Sequence, residues 1–266
     1  MSLDDLLEFA AKQGFDAVDL TGYFFPEYPN VPEDDYIYHI KRKAYLLGLD
    51  ISGTGVSTDF ANPDQQKRDK DVQLVKDWID VASKLGAPVV RIFAGKIPED
   101  SHKSWEEIAE NVSESIKECV AYGKTKGVMV GVQNHGEFLK TGEQTVKLVE
   151  LVNSEWFGVI VDTGYFLTSN PYDDMKEVMP YAINFLLKES PSPKDHSIEM
   201  NLSKVMSILK ESNFRGYVPL ETLSDKHSRN QKKISKKYDP YQEVPVFLEN
   251  VWKAAAQKGI LNHIEK

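Results

Sequence analysis

The feature that most constrains this chain is a regular alternation of amphipathic helical segments with short apolar runs, repeated from end to end. LDDLLEFAAKQG reads as a helix stopped by Gly14, and FDAVDLTG follows as a strand. DDYIYHIKRKAYLLGL leads into DISGTGV, and QKRDKDVQLVKDWIDVASKLG into APVVRIFAG. SWEEIAENVSESIKECVAYGKTKG, opening on a Ser cap, leads into VMVGVQNHG. The pattern continues through TGEQTVKLVELVN and FGVIVDTGY, DDMKEVMPY and AINFLLKES, then NLSKVMSILKESN and GYVPLETL, and VPVFLENVWKAAAQKG closes the chain. Seven strand candidates result, each preceded by a helix.

Strands joined by helices run parallel, with crossovers over the sheet faces. VMVGV and VIV are apolar on both faces, as parallel strands covered on both sides must be. With 266 residues, the repeating unit predicts an α/β fold: a (β/α)₈ TIM barrel forming a single domain over residues 1–266. The chain opens on a helix, so the strand expected before it is missing from this sequence: either it has been trimmed, or the barrel is completed another way. No GxGxxG or P-loop is present, and no nucleotide cofactor is expected.

Composition removes several classes of function. Lys and Arg number 32 against 41 Asp and Glu, a net charge of −9 that opposes sequence-independent binding to nucleic acid. Cys119 is the sole cysteine, which excludes an intrachain disulfide and reads as a buried structural thiol. No apolar run approaches the roughly 18 residues of a membrane span, and no membrane partner is expected. MSLDDLLEFAAK is acidic and amphipathic rather than a secretory signal. A soluble, cytoplasmic protein is expected, with an exported form open if an upstream segment has been removed. Homo-oligomerisation is also open.

In a barrel of this kind ligands bind where the strands end at their carboxyl side. The strand ends supply Asp19 and Thr21, Ser52 and Thr54, Arg91, then Gln133, Asn134 and His135. Asp162 and Tyr165 follow, then Lys188 and Glu189, and finally Glu221. Converging polar groups with an aromatic face alongside suit a polyhydroxylated ligand. Asp162 and Glu221 close apolar strands, a costly placement for a carboxylate without a cation or donor nearby. Arg91 lies inside an apolar run and must meet either a carboxylate in the barrel or a ligand. The aromatic segment at Tyr23, Phe24 and Phe25 reads equally as a stacking wall or as packing under a helix. The basic stretch SDKHSRNQKKISKKYDPYQ reads as a solvated loop or as a lid over the barrel mouth. His39, His102, His196, His227 and His263 read as ordinary surface residues.

GFDAVDL, LGAPVVRIFAG, the strand ending QNHG, VDTG and GYVPLETL, in that order, resemble the xylose isomerase-like TIM barrel superfamily. That superfamily holds sugar isomerases, sugar-phosphate isomerases and epimerases, inosose dehydratases and endonuclease IV-type enzymes. The resemblance implies a divalent cation bridging two substrate oxygens, with two glutamates as acid and base. Its ligands would be a Glu on the fifth barrel strand, an Asp on the sixth, a His on the seventh and a Glu on the eighth. Here Asp162 and Glu221 match. Gln133 stands at the first Glu, Leu186 at the His, and Tyr165 replaces the His of the DxGH pattern.

The resemblance therefore implies a sugar isomerase or epimerase-like enzyme with a degenerate metal site, acting on a small carbohydrate by proton transfer. Glu221, His135 and Lys188 are its candidate catalytic residues. Arg91, Asn134, Gln133, Thr21 and Tyr165 are the candidate substrate-binding residues. Asp162, Glu221 and Gln133 are what remains to hold Mn, Mg or Zn, weakly or not at all. The alternative is a carbohydrate-binding barrel that has lost the metal-dependent activity.

Overall fold

The computed structural model describes residues 2–135, 138–222 and 238–260. Helix and strand alternate as the pattern predicts. The order begins α1 (Leu3–Gln13), β1 (Ala17–Thr21), α2 (Asp34–Leu46), β2 (Asp50–Gly55), α3 (Gln65–Leu85) and β3 (Val89–Phe93). It continues through α4 (Trp105–Lys126), β4 (Met129–Gln133), α5 (Gly142–Val152), β5 (Phe157–Asp162) and α6 (Pro171–Val178). The last elements are β6 (Ala182–Lys188), α7 (Leu202–Glu211), β7 (Leu220–Glu221) and α8 (Pro240–Gln257). Helix ends follow local chemistry. Ser2 with Asp5 and Ser104 with Glu107 form capping boxes, and Gly14, Gly86 and Gly127 close helices in the left-handed conformation.

The strands lie in sequence order, all parallel, in a curled barrel-like sheet wrapped by the helices. Register sorts the side chains into two sets. Val90, Ile92, Val130, Val132, Val159, Val161, Phe185 and Leu187 are all but sealed from solvent. Each such side chain contributes about 1.5–3 kcal/mol by leaving water. On the opposite face, Arg91 pairs with Gly131, Phe93 with Gln133, Asp162 with Leu186 and Lys188 with Glu221, which sends the polar strand ends to the barrel interior.

Among the described residues β1 and β7 are not paired with each other, so the gap expected for the first strand is present. The circle is drawn in around it by other contacts. The Tyr217 hydroxyl donates to Asp50 Oδ2 at 2.8 Å, and Phe9 of α1 meets Tyr241 of α8 edge-on at 5.0 Å.

Two elements are shorter than the sequence suggests. The run GYVPLETL pairs as a strand only over Leu220–Glu221, because Pro219 has no N–H to donate. The Pro219 carbonyl still accepts from Leu187 N at 2.8 Å. DDMKEVMPY splits into α6 and a 3₁₀ turn over Met179–Tyr181 that contains Pro180. The expected basic loop or lid lies, but for its last few residues, outside the described residues, as do His227 and His263. Among the described residues no helix is long and apolar enough to cross a membrane. Cys119 is buried, and burial pushes its thiol up to about 12, the inert structural cysteine expected.

Candidate functional site

The ends of β4, β5, β6 and β7 converge on one charged group. Lys188 Nζ lies 3.2 Å from Asp162 Oδ2 and 3.2 Å from Glu221 Oε1. The Asp162 side chain is fully enclosed and that of Lys188 is 7% exposed, whereas Glu221 is 44% exposed toward the mouth. Asp162 is further held by the Gly164 N–H, which donates to Oδ1 at 2.9 Å, and by the Gln133 amide, which donates to Oδ2. One carboxylate thus receives an ammonium, an amide and a backbone donor.

Charge states follow from this packing. Burial pushes the Asp162 carboxyl above its ordinary value, against the pull of Lys188, the Gly164 N–H and Gln133. Burial also raises Glu221, opposed chiefly by Lys188. For Lys188, burial acts to lower the value, but Asp162, Glu221 and Tyr165 together outweigh it and hold the ammonium above its usual range. The packing therefore favours the ammonium form of Lys188, and Glu221 is the more exposed of the two carboxyls.

Side chains just beyond one strand hold the end of the next. The Asn134 amide donates to the Asp162 carbonyl at 2.9 Å and accepts from the Asp162 N–H at 2.7 Å. Thr163 Oγ1 accepts from the Lys188 N–H at 2.9 Å. Thr58 Oγ1 donates to the Phe93 carbonyl at 2.6 Å and accepts from the Phe93 N–H at 3.0 Å. Gly164 leaves space for the Lys188 stem, since a Cβ there would stand 2.8 Å from Lys188 Cδ. Gly55 does the same for Arg91, whose Nε would be 2.7 Å from an added Cβ.

An aromatic wall runs beside the charges. The His135 ring stacks on Tyr165 with centroids 3.8 Å apart, and Phe93 meets His135 edge-on at 5.0 Å. Lys188 Nζ lies 4.4 Å from the Tyr165 ring centre. The Arg91 guanidinium lies 4.3 Å from the Phe93 ring centre, and it donates to the Val56 carbonyl at 3.0 Å and the Tyr23 hydroxyl at 2.9 Å. Asp19, raised by burial, faces the charge of Arg91 from β1, so the barrel supplies the arginine with a carboxylate as well as a position near the mouth.

Gln133, His135, Asp162, Tyr165, Lys188 and Glu221 are thus brought together, with Arg91 joined through Phe93. Asn134 belongs to the cluster, and its amide bonds both backbone groups of Asp162 and so positions that residue. Ser52 and Thr54 donate to the Val18 and Leu20 carbonyls and stand apart from the cluster. Thr21 ends β1 and enters the 3₁₀ turn Gly22–Phe24 without a side-chain cap bond. The aromatic segment divides. Phe25 is buried against Trp78 at 5.4 Å, while Tyr23 stays half-exposed on Arg91. His39 is a surface residue, 2.8 Å from Asp4. Phe93 and Thr163 were missed. The alternation in VVRIF, with Arg91 inward, is the signal that places Phe93 on the same face.

The donor set does not fit the divalent cation that the resemblance implies. Gln133 turns its amide nitrogen to Asp162, Leu186 has no donor atom, and both matched carboxylates already engage Lys188. Among the described residues no group of three or more His, Cys, Asp or Glu converges to hold a metal.

Residues 7–243 match the sequence profile of xylose isomerase-like TIM barrels. An uncharacterised protein of Methanocaldococcus jannaschii is 23% identical over 254 residues, covering 89% of this chain and 85% of that protein. The inosose isomerase of Halalkalibacterium halodurans is 24% identical over 233 residues, covering 81% of this chain and 80% of the enzyme. Among solved structures, D-psicose 3-epimerase with D-tagatose from Clostridium cellulolyticum superposes with a TM-score of 0.79 at 17% identity. That superposition covers 96% of this chain and 94% of the other.

Proposed function

The chain belongs to the xylose isomerase-like TIM barrel family, and on that premise we propose that it is a sugar isomerase or epimerase-like enzyme. Its substrate is a small carbohydrate bound at the carboxyl ends of the strands. The observation that carries this reading is the Asp162–Lys188–Glu221 cluster, 3.2 Å at each contact and flanked by the stacked rings of His135 and Tyr165. A hydroxyl-rich ring needs polar partners on its edges and an aromatic surface on its face, and this mouth offers both. The inosose isomerase relative and the D-psicose 3-epimerase neighbour agree with a substrate of that class.

The proton transfer is assigned to Glu221. Its carboxylate takes a proton from the carbon beside the substrate carbonyl, the electron pair passes to the carbonyl oxygen, and Lys188 donates a hydrogen bond to that oxygen. Return of a proton to the opposite face of the same carbon gives the epimer. Return to the former carbonyl carbon, with the proton of the neighbouring hydroxyl passing to the enolate oxygen, gives the isomer. Gln133 cannot serve as the second base, and His135 is the neighbouring group able to carry a proton on that side. Asp162 anchors Lys188.

The test is incubation with a panel of ketoses and aldoses in deuterated water, followed by proton NMR. Saturable conversion with deuterium entering beside the carbonyl is the expected result, and Glu221→Gln should lower kcat by about 10²–10⁴-fold. Saturable binding with no conversion and no deuterium uptake would discard the catalytic reading in favour of a carbohydrate-binding barrel.

A further inference from the structure

Two carboxylates that converge at the buried mouth of a barrel demand a positive charge between them. A hard divalent ion could supply it only by approaching oxygens of both to about 2.0–2.6 Å. The point between them is taken. Lys188 Nζ stands 3.2 Å from each, on a stem fitted beside Gly164 and a backbone N–H held by Thr163. The remaining donors around Asp162 are an amide and a peptide N–H, both of which repel a cation. Leu186, the inward residue paired with Asp162, adds nothing to a coordination sphere.

We infer that Lys188 is the resident cation of this site, its ammonium standing in the place of a divalent ion and presenting its positive charge to an oxygen of the bound carbohydrate. An ammonium carries three N–H donors, and the two carboxylates take two of them. The third goes to the substrate oxygen that becomes negative when the neighbouring carbon loses its proton. Only this last assignment rests on the proposed sugar chemistry. The exclusion of a divalent ion rests on the geometry alone.

The experiment is a Mn²⁺ titration of the full chain at neutral pH, followed by the electron paramagnetic resonance signal of free Mn²⁺. The wild type should bind no stoichiometric Mn²⁺. Lys188→Ala, with both carboxylates released, should bind it at least roughly tenfold more tightly than the wild type. That affinity should vanish in Lys188→Ala/Glu221→Gln, and Lys188→Arg, which keeps a cation, should stay like the wild type. A wild type that takes up one Mn²⁺ per chain at micromolar concentration would overturn the inference. So would a folded Lys188→Ala that binds no better than the wild type. Should Lys188→Ala fail to fold, thermal melting of the wild type decides. A melting temperature unmoved by millimolar Mn²⁺ or EDTA supports a built-in cation, and stabilisation that saturates with Mn²⁺ refutes it. None of these readouts needs turnover. A chain that converts no sugar while Lys188→Ala gains Mn²⁺ refutes the proposed function and leaves this inference intact. Turnover that requires stoichiometric Mn²⁺ does the reverse.

Discussion

Asp162 and Glu221 both end apolar strands and share Lys188, yet they cannot play the same part. Asp162 is sealed and committed to three donors, while Glu221 opens to the mouth and pairs with Lys188. Burial raises Glu221 above the ordinary carboxylate range, so its base form prevails only at higher pH than for a free glutamate. The sign follows: kcat/KM should rise with pH through a limb above the usual carboxylate value, because protonated Glu221 cannot accept the substrate proton. A pH–rate profile checks this. The limb should be absent from whatever slow rate Glu221→Gln retains, and its persistence there would move the base elsewhere. These two carboxylates were legible from sequence because charge at the end of a buried run is costly enough to need a reason. The bridge between them was not, since nothing in the local text of FLLKES states that Lys188 reaches across to both neighbouring strands.

Between elements, the strand ends are joined by side chains as well as by the backbone ladder. Asn134 is the clearest case, with its amide satisfying both the N–H and the carbonyl of Asp162 in a fully buried setting. Asn134→Ala strands two buried backbone groups, a loss of about 2–4 kcal/mol in stability by urea denaturation. Any residual carbohydrate affinity should fall with it, because Asp162 loses its placement. A change within a few tenths of a kcal/mol would show the clamp to be incidental. The elements themselves were legible almost throughout: α1 and α4 open on a capping serine, α1, α3 and α4 close on a glycine, and most strands carry an apolar run. The clamps were not, because QNHG and VDTG look like polar loops until the register sets each beside the end of the next strand.

For the molecule as a whole, β7 is the weak member. It pairs over Leu220–Glu221 alone and forms one edge of the gap, whereas β4 and β5 have partners on both sides. Native-state hydrogen exchange should therefore find the amides of Val130 and Val159 among the slowest, and those of Leu220 and Glu221 orders of magnitude faster. Equal protection across all four would show β7 to be held as firmly as the centre of the sheet. The barrel-like architecture and the seven strands of the described residues could both be read from the count and order of helix–strand units, because crossover geometry leaves few other ways to place them. How firmly each strand is held could not, since that depends on partners from distant parts of the chain.

The clamps carry a consequence for exchange of parts. Loops at the mouth of a barrel are ordinarily interchangeable, since the strands beneath them stand without their help. Here Thr58, Asn134 and Thr163 belong to the segments beyond β2, β4 and β5, yet each secures a residue of the following strand, Phe93, Asp162 or Lys188. In these three cases the dependence runs from a strand to its successor, and through Lys188 it reaches Glu221. Grafting a foreign loop after β5 would disturb Lys188 of β6 as well as Asp162 of the strand it was spliced to. The mouth of this barrel is therefore not modular.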